Sequence, residues 1–112
     1  MNIQIFTGKK NFDTQKTERY FKERGIRFQR IELARQPLSK GEFASVKQAV
    51  GLEALIDRES PAYNTCNLAY HGLSPMTEML LMEHPELLKT PIVRNGKQAT
   101  VGYCPEIWKD WN

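Results

Sequence analysis

Apolar and polar positions alternate over residues 2–6, with Ile3 and Ile5 on one face, and this period of two predicts a short strand. Thr7 and Gly8 break it, and Lys9, Lys10 and Asn11 form a polar turn. The Asn11 side-chain oxygen can accept a backbone N–H of the turn that follows, and Asp13 suits the positive end of a helix. A helix is therefore expected from residue 12 to about 24, closed by Gly25, with Phe12, Lys16 and Tyr20 on one line and Phe21 beside it. A second strand is expected over residues 27–33. Its alternation changes phase between Phe28 and Ile31, which fits either a buried or a bulged strand.

Ser39 and Glu42 have the spacing of a capping box, and Phe43, Val46 and Val50 then repeat at three and four. That pattern predicts an amphipathic helix ending at Gly51, with one more turn over residues 52–55. Residues 57–72 are weakly patterned and loop-rich, with room for short helical turns. Ser74-Pro75 reads as a helix start, followed by Met76, Met79, Leu80 and Glu83 at helical spacing and limited by Pro85. A methionine-rich face at this spacing is expected to pack in the core. Ile92-Val93 and Ala99-Thr100-Val101 flank Arg94-Asn95-Gly96-Lys97, so a β-hairpin with a type I′ Asn-Gly turn is expected. Gly102 stops its second strand, and residues 105–111 can form a last helix burying Ile107, Trp108 and Trp111.

The order is β-α-β, helices, then β-β-α, with no repeat or linker. It predicts one α/β domain over residues 1–112 with a mixed sheet and a helical insertion at about 38–90. Composition agrees with a globular chain, since 40% of the 112 residues are hydrophobic and 26% charged. The net charge of +3 is spread from Lys9 to Lys109, which argues against a dedicated nucleic-acid surface. No apolar run approaches the roughly 20 residues a membrane span needs, and no signal peptide is visible. Two cysteines, Cys66 and Cys104, make neither a disulfide scaffold nor, with His71 and His84 standing apart, a metal cluster. A cytoplasmic protein with reduced thiols is the expectation.

Four stretches resemble the arsenate reductase (ArsC)/Spx family in order and spacing. They are Ile3-Gln4-Ile5-Phe6 through Phe21-Lys22-Glu23-Arg24-Gly25-Ile26, then Glu32-Leu33-Ala34-Arg35-Gln36-Pro37-Leu38-Ser39-Lys40, then Glu83-His84-Pro85-Glu86-Leu87-Leu88-Lys89-Thr90-Pro91-Ile92, and Val101-Gly102-Tyr103. The resemblance implies a thioredoxin-like fold with a helical insertion. It also implies a cis proline at Pro91, beside the turn where the family keeps its chemistry.

In arsenate reductases a cysteine at the start of the first helix attacks arsenate, and in Spx-like members a Cys-x-x-Cys pair occupies the same turn. A helix N-terminus lowers a thiol's pKa and so favours the nucleophilic thiolate. The matching positions here are Asn11 and Thr14, neither of which offers a thiol. Other positions depart too. Thr90 stands where an arginine precedes the proline, Glu59 falls at a second arginine position with Arg58 one place early, and Cys104-Pro105 replaces a third. A carboxylate in place of arginine repels an oxyanion.

The function expected from this resemblance is a degenerate, non-redox family member, a binding or regulatory module without arsenate reductase activity. Its partner would be a protein or a small thiol-peptide, glutathione included, held near Asn11, Thr14, Thr90 and Pro91. RNA polymerase enters by analogy with Spx, and no membrane or direct nucleic-acid role is expected. Lys9 and Lys10 beside the helix end read either as part of an anion or peptide-carboxylate site or as an ordinary solvated cap. Cys104 reads either as a small packed residue or as a relocated thiol at a helix start. The second reading makes the chain a thiol-dependent arsenate or disulfide reductase, using Cys104 alone or with Cys66. His71 and His84 show no partner for acid–base work.

Overall fold

The computed structural model describes residues 1–111, and its sheet is built outward from its first strand. β1 (Ile3–Thr7) pairs in parallel with β2 (Phe28–Glu32) and antiparallel with β3 (Ile92–Asn95). β4 (Gln98–Val101) adds to β3, for a mixed sheet of order β2-β1-β3-β4. Opposed residues share a face, and the register sets Ile3 against Phe28, Ile5 against Val93, and Phe6 against both Ile31 and Ile92. Ile3, Ile5, Phe28 and Val93 thus face one way, and Phe6, Ile31 and Ile92 the other.

Each face is covered. On the first, Tyr20 and Phe21 of α1 (Phe12–Glu23) pack with Trp108 of α7 (Pro105–Trp108) and with Trp111. On the second, a helical segment separates β2 from β3 and covers Phe6, Ile31 and Ile92. Its members are α2 (Lys40–Val50), α3 (Leu52–Leu55), α4 (Pro61–Thr65), α5 (Leu68–His71) and α6 (Pro75–Glu83). They contribute Phe43, Val46, Leu55, Leu68 and Leu81 to the core. A sheet buried on both sides explains the phase break read in β2. The strand is neither buried nor bulged: its register runs unbroken at the sheet edge, Phe28 faces α1, Ile31 faces the helical segment, and Gln29 and Arg30 stay exposed.

Local signals hold where they depend on adjacent residues. Ser39 and Glu42 make both bonds of the capping box, at 3.1 and 2.9 Å. Ser74 caps α6, with Pro75 at its first position. Gly25, at φ +67°, closes α1 in a Schellman arrangement: its N–H donates to the Lys22 carbonyl (3.1 Å) and the Ile26 N–H to that of Phe21 (2.9 Å).

On α1 the buried face runs through Thr14, Thr17, Tyr20 and Phe21, so the expected line of Phe12, Lys16 and Tyr20 enters the core only at Tyr20, and Phe12 is 79% exposed. Three expectations are corrected. Met76 and Met79 of α6 do not form a core face: Thr77 and Leu81 point inward while these two methionines are exposed, and only Met82 packs against the core. In α7 Trp108 is buried and Ile107 is 49% exposed. The hairpin pairs Asn95 with Gln98, so its loop is Gly96-Lys97 with only Gly96 at positive φ, as a type II′ rather than a type I′ turn requires.

Leu81 is fully buried beneath the helical segment. Leu81→Ala is expected to lower unfolding stability by about 2–5 kcal/mol through the cavity it leaves, measured by chemical denaturation. Met79→Ser should leave the same midpoint nearly unchanged.

Candidate functional site

The C-terminal end of β1 carries the chain into the first turn of α1, and antiparallel pairing brings the start of β3 to the same end. Residues 8–14 therefore meet the Thr90-Pro91 peptide, which is cis. The approach is close at Gly8, where an added Cβ would meet Thr90 Cγ2 at 3.2 Å.

Asn11 joins the two segments. As the N-cap of α1 it holds an extended conformation, and its Oδ1 accepts the Thr14 N–H at 2.7 Å. Its Nδ2 donates to the Lys9 carbonyl and to Thr90 Oγ1, each at 3.3 Å. The amide is thus engaged on both sides. The next amides, those of Phe12 and Asp13, have no intrahelical acceptor, as in the first turn of any helix. Thr14 is buried at 6% exposure, and its Oγ1 is sealed from solvent with no hydrogen-bond partner among the described residues. Lys9 and Lys10 are exposed and form no ion pair among the described residues. Pro91 is buried, and its carbonyl accepts the Gly102 N–H at 2.8 Å, which draws Tyr103 and Cys104 toward the same end of the molecule.

Cys104 stands at the start of α7, where its side chain makes no cap. Its Sγ donates to the Val101 carbonyl at 3.3 Å and packs against the α1-side core. Burial pushes the thiol above its ordinary pKa; the Thr100 side chain pulls it down, the Asp13 carboxylate pushes it up again, and the net shift is upward. Cys66 packs against the other face of the sheet. The two thiols are free and lie on opposite sides of the sheet, so they do not pair.

Structure thus brings Lys9, Asn11, Thr14, Thr90 and Pro91 together. It leaves Lys10 exposed in the same loop and turns Cys104 onto the core. Arg58 lies against Glu53 (3.4 Å), and the Glu59 N–H donates to Asp57 Oδ1 (3.0 Å). Both line a hollow of 320 Å³ with Glu53, Asp57 and Lys89. His84 does have a carboxylate neighbour, Glu86, at 3.3 Å, while His71 stacks edge-on against Tyr70. Neither histidine belongs to the turn. Among the described residues no group of three His, Cys, Asp or Glu side chains could hold a metal ion, and no helix is long and apolar enough to cross a membrane.

Sequence reasoning missed the Gly8–Thr90 approach, the Gly102–Pro91 bond and the exposed ring of Phe12. Only the last had a local signal. A residue at the first position of a capped helix starts ahead of the face that the later turns bury.

A β-α-β unit, a helical segment and a β-β-α unit meeting at a cis proline make this a thioredoxin-like domain with a mixed sheet. The model of the ArsC family matches residues 6–111, and the chain belongs to that family. It is 32% identical over 107 residues to the global transcriptional regulator Spx 2 of Oceanobacillus iheyensis, covering 92% of this chain and 78% of that one. It is 26% identical to YusI of Bacillus subtilis over 98% of both chains. The arsenate reductase from Vibrio cholerae superposes with a TM-score of 0.83 at 27% identity, over 96% of this chain and 94% of that one.

Two measurements check the geometry. Asn11→Ala removes the cap and the tie to Thr90 and should cost about 1 kcal/mol in thermal or denaturant unfolding. Because the Cys104 pKa is raised, its thiolate fraction at neutral pH lies below that of a free cysteine. Iodoacetamide should therefore alkylate it more slowly than glutathione at pH about 7.5, with the rate climbing only above the ordinary thiol range near pH 8.5.

Proposed function

We propose that this ArsC-family chain works as a binding or regulatory module rather than as an arsenate reductase. Its recognition surface is the Lys9–Thr14 turn together with Thr90 and Pro91. The observation that carries this reading is the state of Asn11. A nucleophile at this helix start would need a thiol, whereas here a carboxamide caps the helix and is tied to Thr90 Oγ1. An amide offers neither a thiolate to attack an oxyanion nor a redox couple. Thr14, one turn on, carries a hydroxyl in place of a second thiol.

The surface still suits binding. Free amides of the first turn and the helix dipole favour a carboxylate, and Lys9 and Lys10 add positive charge beside them. Thr90 lies against this turn through Gly8 and Asn11, and the family resemblance implies that the backbone before Pro91 can pair with an extended peptide. A protein segment or a small thiol-peptide such as glutathione meets these requirements. The likeness to a transcriptional regulator makes a regulatory partner the natural choice, and the Spx resemblance makes RNA polymerase one such partner. The rival reading, reduction by Cys104, is opposed by the upward shift of its pKa and by the packing of its sulfur against the core.

Purified protein supplied with arsenate or a model disulfide, and with glutathione or thioredoxin as reductant, should show no turnover above the protein-free control. Cys104→Ser should change nothing. Thiol-dependent turnover that disappears in Cys104→Ser would overturn the proposal. In the binding arm, S-methylglutathione should shift the amide resonances of Lys9, Asn11 and Thr90, and Lys9→Glu with Lys10→Glu should weaken that response.

A further inference from the structure

The fold accounts for the burial of Thr14, Thr17, Tyr20 and Phe21 on α1, but it makes no use of the Phe12 ring. That ring is 79% exposed, and it does not stand alone. Lys16 lies one turn further along the same face, and its Nζ sits 5.7 Å from the centroid of the Tyr103 ring. Tyr103 is 40% exposed and braced edge-on against buried Trp108, with ring centroids 5.7 Å apart. Ile107, 49% exposed, follows on α7. Phe12 at the head of α1, Tyr103 before α7 and Ile107 on α7 are thus three exposed apolar side chains on adjoining elements, with Lys16 bridging from α1 to Tyr103 and the core Trp108 bracing that ring.

Cations outnumber carboxylates around these side chains. Lys9, Lys10, Lys16 and Arg19 are exposed and take part in no ion pair among the described residues. Three carboxylates lie nearby, and one of them, Glu23, is exposed at the far end of the Phe12–Lys16–Arg19 line of α1. Glu106 is held by Lys109 at 3.0 Å, and Asp13 stands in the first turn of α1, where the helix dipole partly balances it. The result is a set of exposed aromatic and aliphatic side chains accompanied by unpaired cations. A partner complementary to it carries large apolar side chains interleaved with carboxylates.

We infer that the Phe12–Tyr103–Ile107 surface docks an acidic protein segment bearing Leu or Phe side chains, with Lys9, Lys10, Lys16 and Arg19 facing its carboxylates. This rests on the reading of the chain as a binding module and names the chemistry of its partner. The apolar side chains supply contact area and the lysines set orientation and association rate. Affinity should therefore respond to both, and to salt.

The test is an amide-resonance titration of the full chain with short acetylated peptides of three kinds. One alternates Asp and Glu with Leu and Phe, one has Lys and Arg in place of the acids, and one has Ser in place of Leu and Phe. Only the first should shift Phe12, Lys16, Tyr103 and Ile107. Its affinity should fall between about 50 and about 300 mM salt as screening shortens the reach of the lysines. Phe12→Ser combined with Tyr103→Ser should weaken it by about tenfold or more, as expected for removing two aromatic anchors. Met79→Ser, on the other side of the sheet, should leave it unchanged.

Absence of shifts at these four residues, or an equal response to the basic or the serine peptides, would overturn the inference. So would self-association through the same residues in sedimentation, or binding to phosphatidylglycerol vesicles in place of peptide. If the peptide response is absent while S-methylglutathione still shifts Asn11 and Thr90, the docking surface falls and the binding-module reading stands. Reductase turnover lost in Cys104→Ser removes that reading by a separate route.

Discussion

Burial of β1 on both faces is the constraint from which the rest of this molecule follows. Ile3, Ile5 and Phe6 are all essentially inaccessible, and their side chains alternate to opposite sides of the sheet. One layer of helices cannot cover both sides. The connection from β1 to β2 must cross over one face as α1, and the long segment between β2 and β3 must fill the other. The position of the site is then a matter of topology. A parallel crossover starts its helix at the carboxyl end of β1, and antiparallel pairing of β3 delivers Thr90 and Pro91 to that same end. The two segments converge because the core has no other way to be buried, whatever chemistry they carry.

That separation between scaffold and chemistry is what Asn11 exposes. A helix start inside such a crossover needs an acceptor for its first amides, and the loop before it needs a hold on the proline segment. Asn11 supplies both from one side chain, accepting from Thr14 and donating to Thr90. The architecture shared with arsenate reductase from Vibrio cholerae therefore stands here on an amide cap. Function has to be argued from the side chains that line the turn, since the fold alone is compatible with either outcome. Cys104 illustrates the same point from the other direction. It comes to the right end of the molecule through the Gly102–Pro91 bond, yet its sulfur is spent on the Val101 carbonyl and the core.

What the sequence by itself determined are the features that adjacent residues decide among themselves. The Ser39–Glu42 capping box, the Ser74-Pro75 start, the stop at Gly25 and the existence of the hairpin all depend on neighbours within a few positions, and each is present. The amide at the head of α1 was legible too, because capping needs only a side-chain oxygen and the next turn. Tertiary structure alone decided which way each element faces. The rotation that hides Thr77 and Leu81 and leaves Met76 and Met79 outside depends on the core that Leu81 joins, whose members Phe6, Ile31 and Phe43 are remote in the chain. The one-residue shift of the hairpin loop comes from the pairing of Asn95 with Gln98. The opposite facings of Phe28 and Ile31 in β2 reflect two helical layers rather than one. Local periodicity encodes an element, but burial is a relation between surfaces that meet only after the chain has closed.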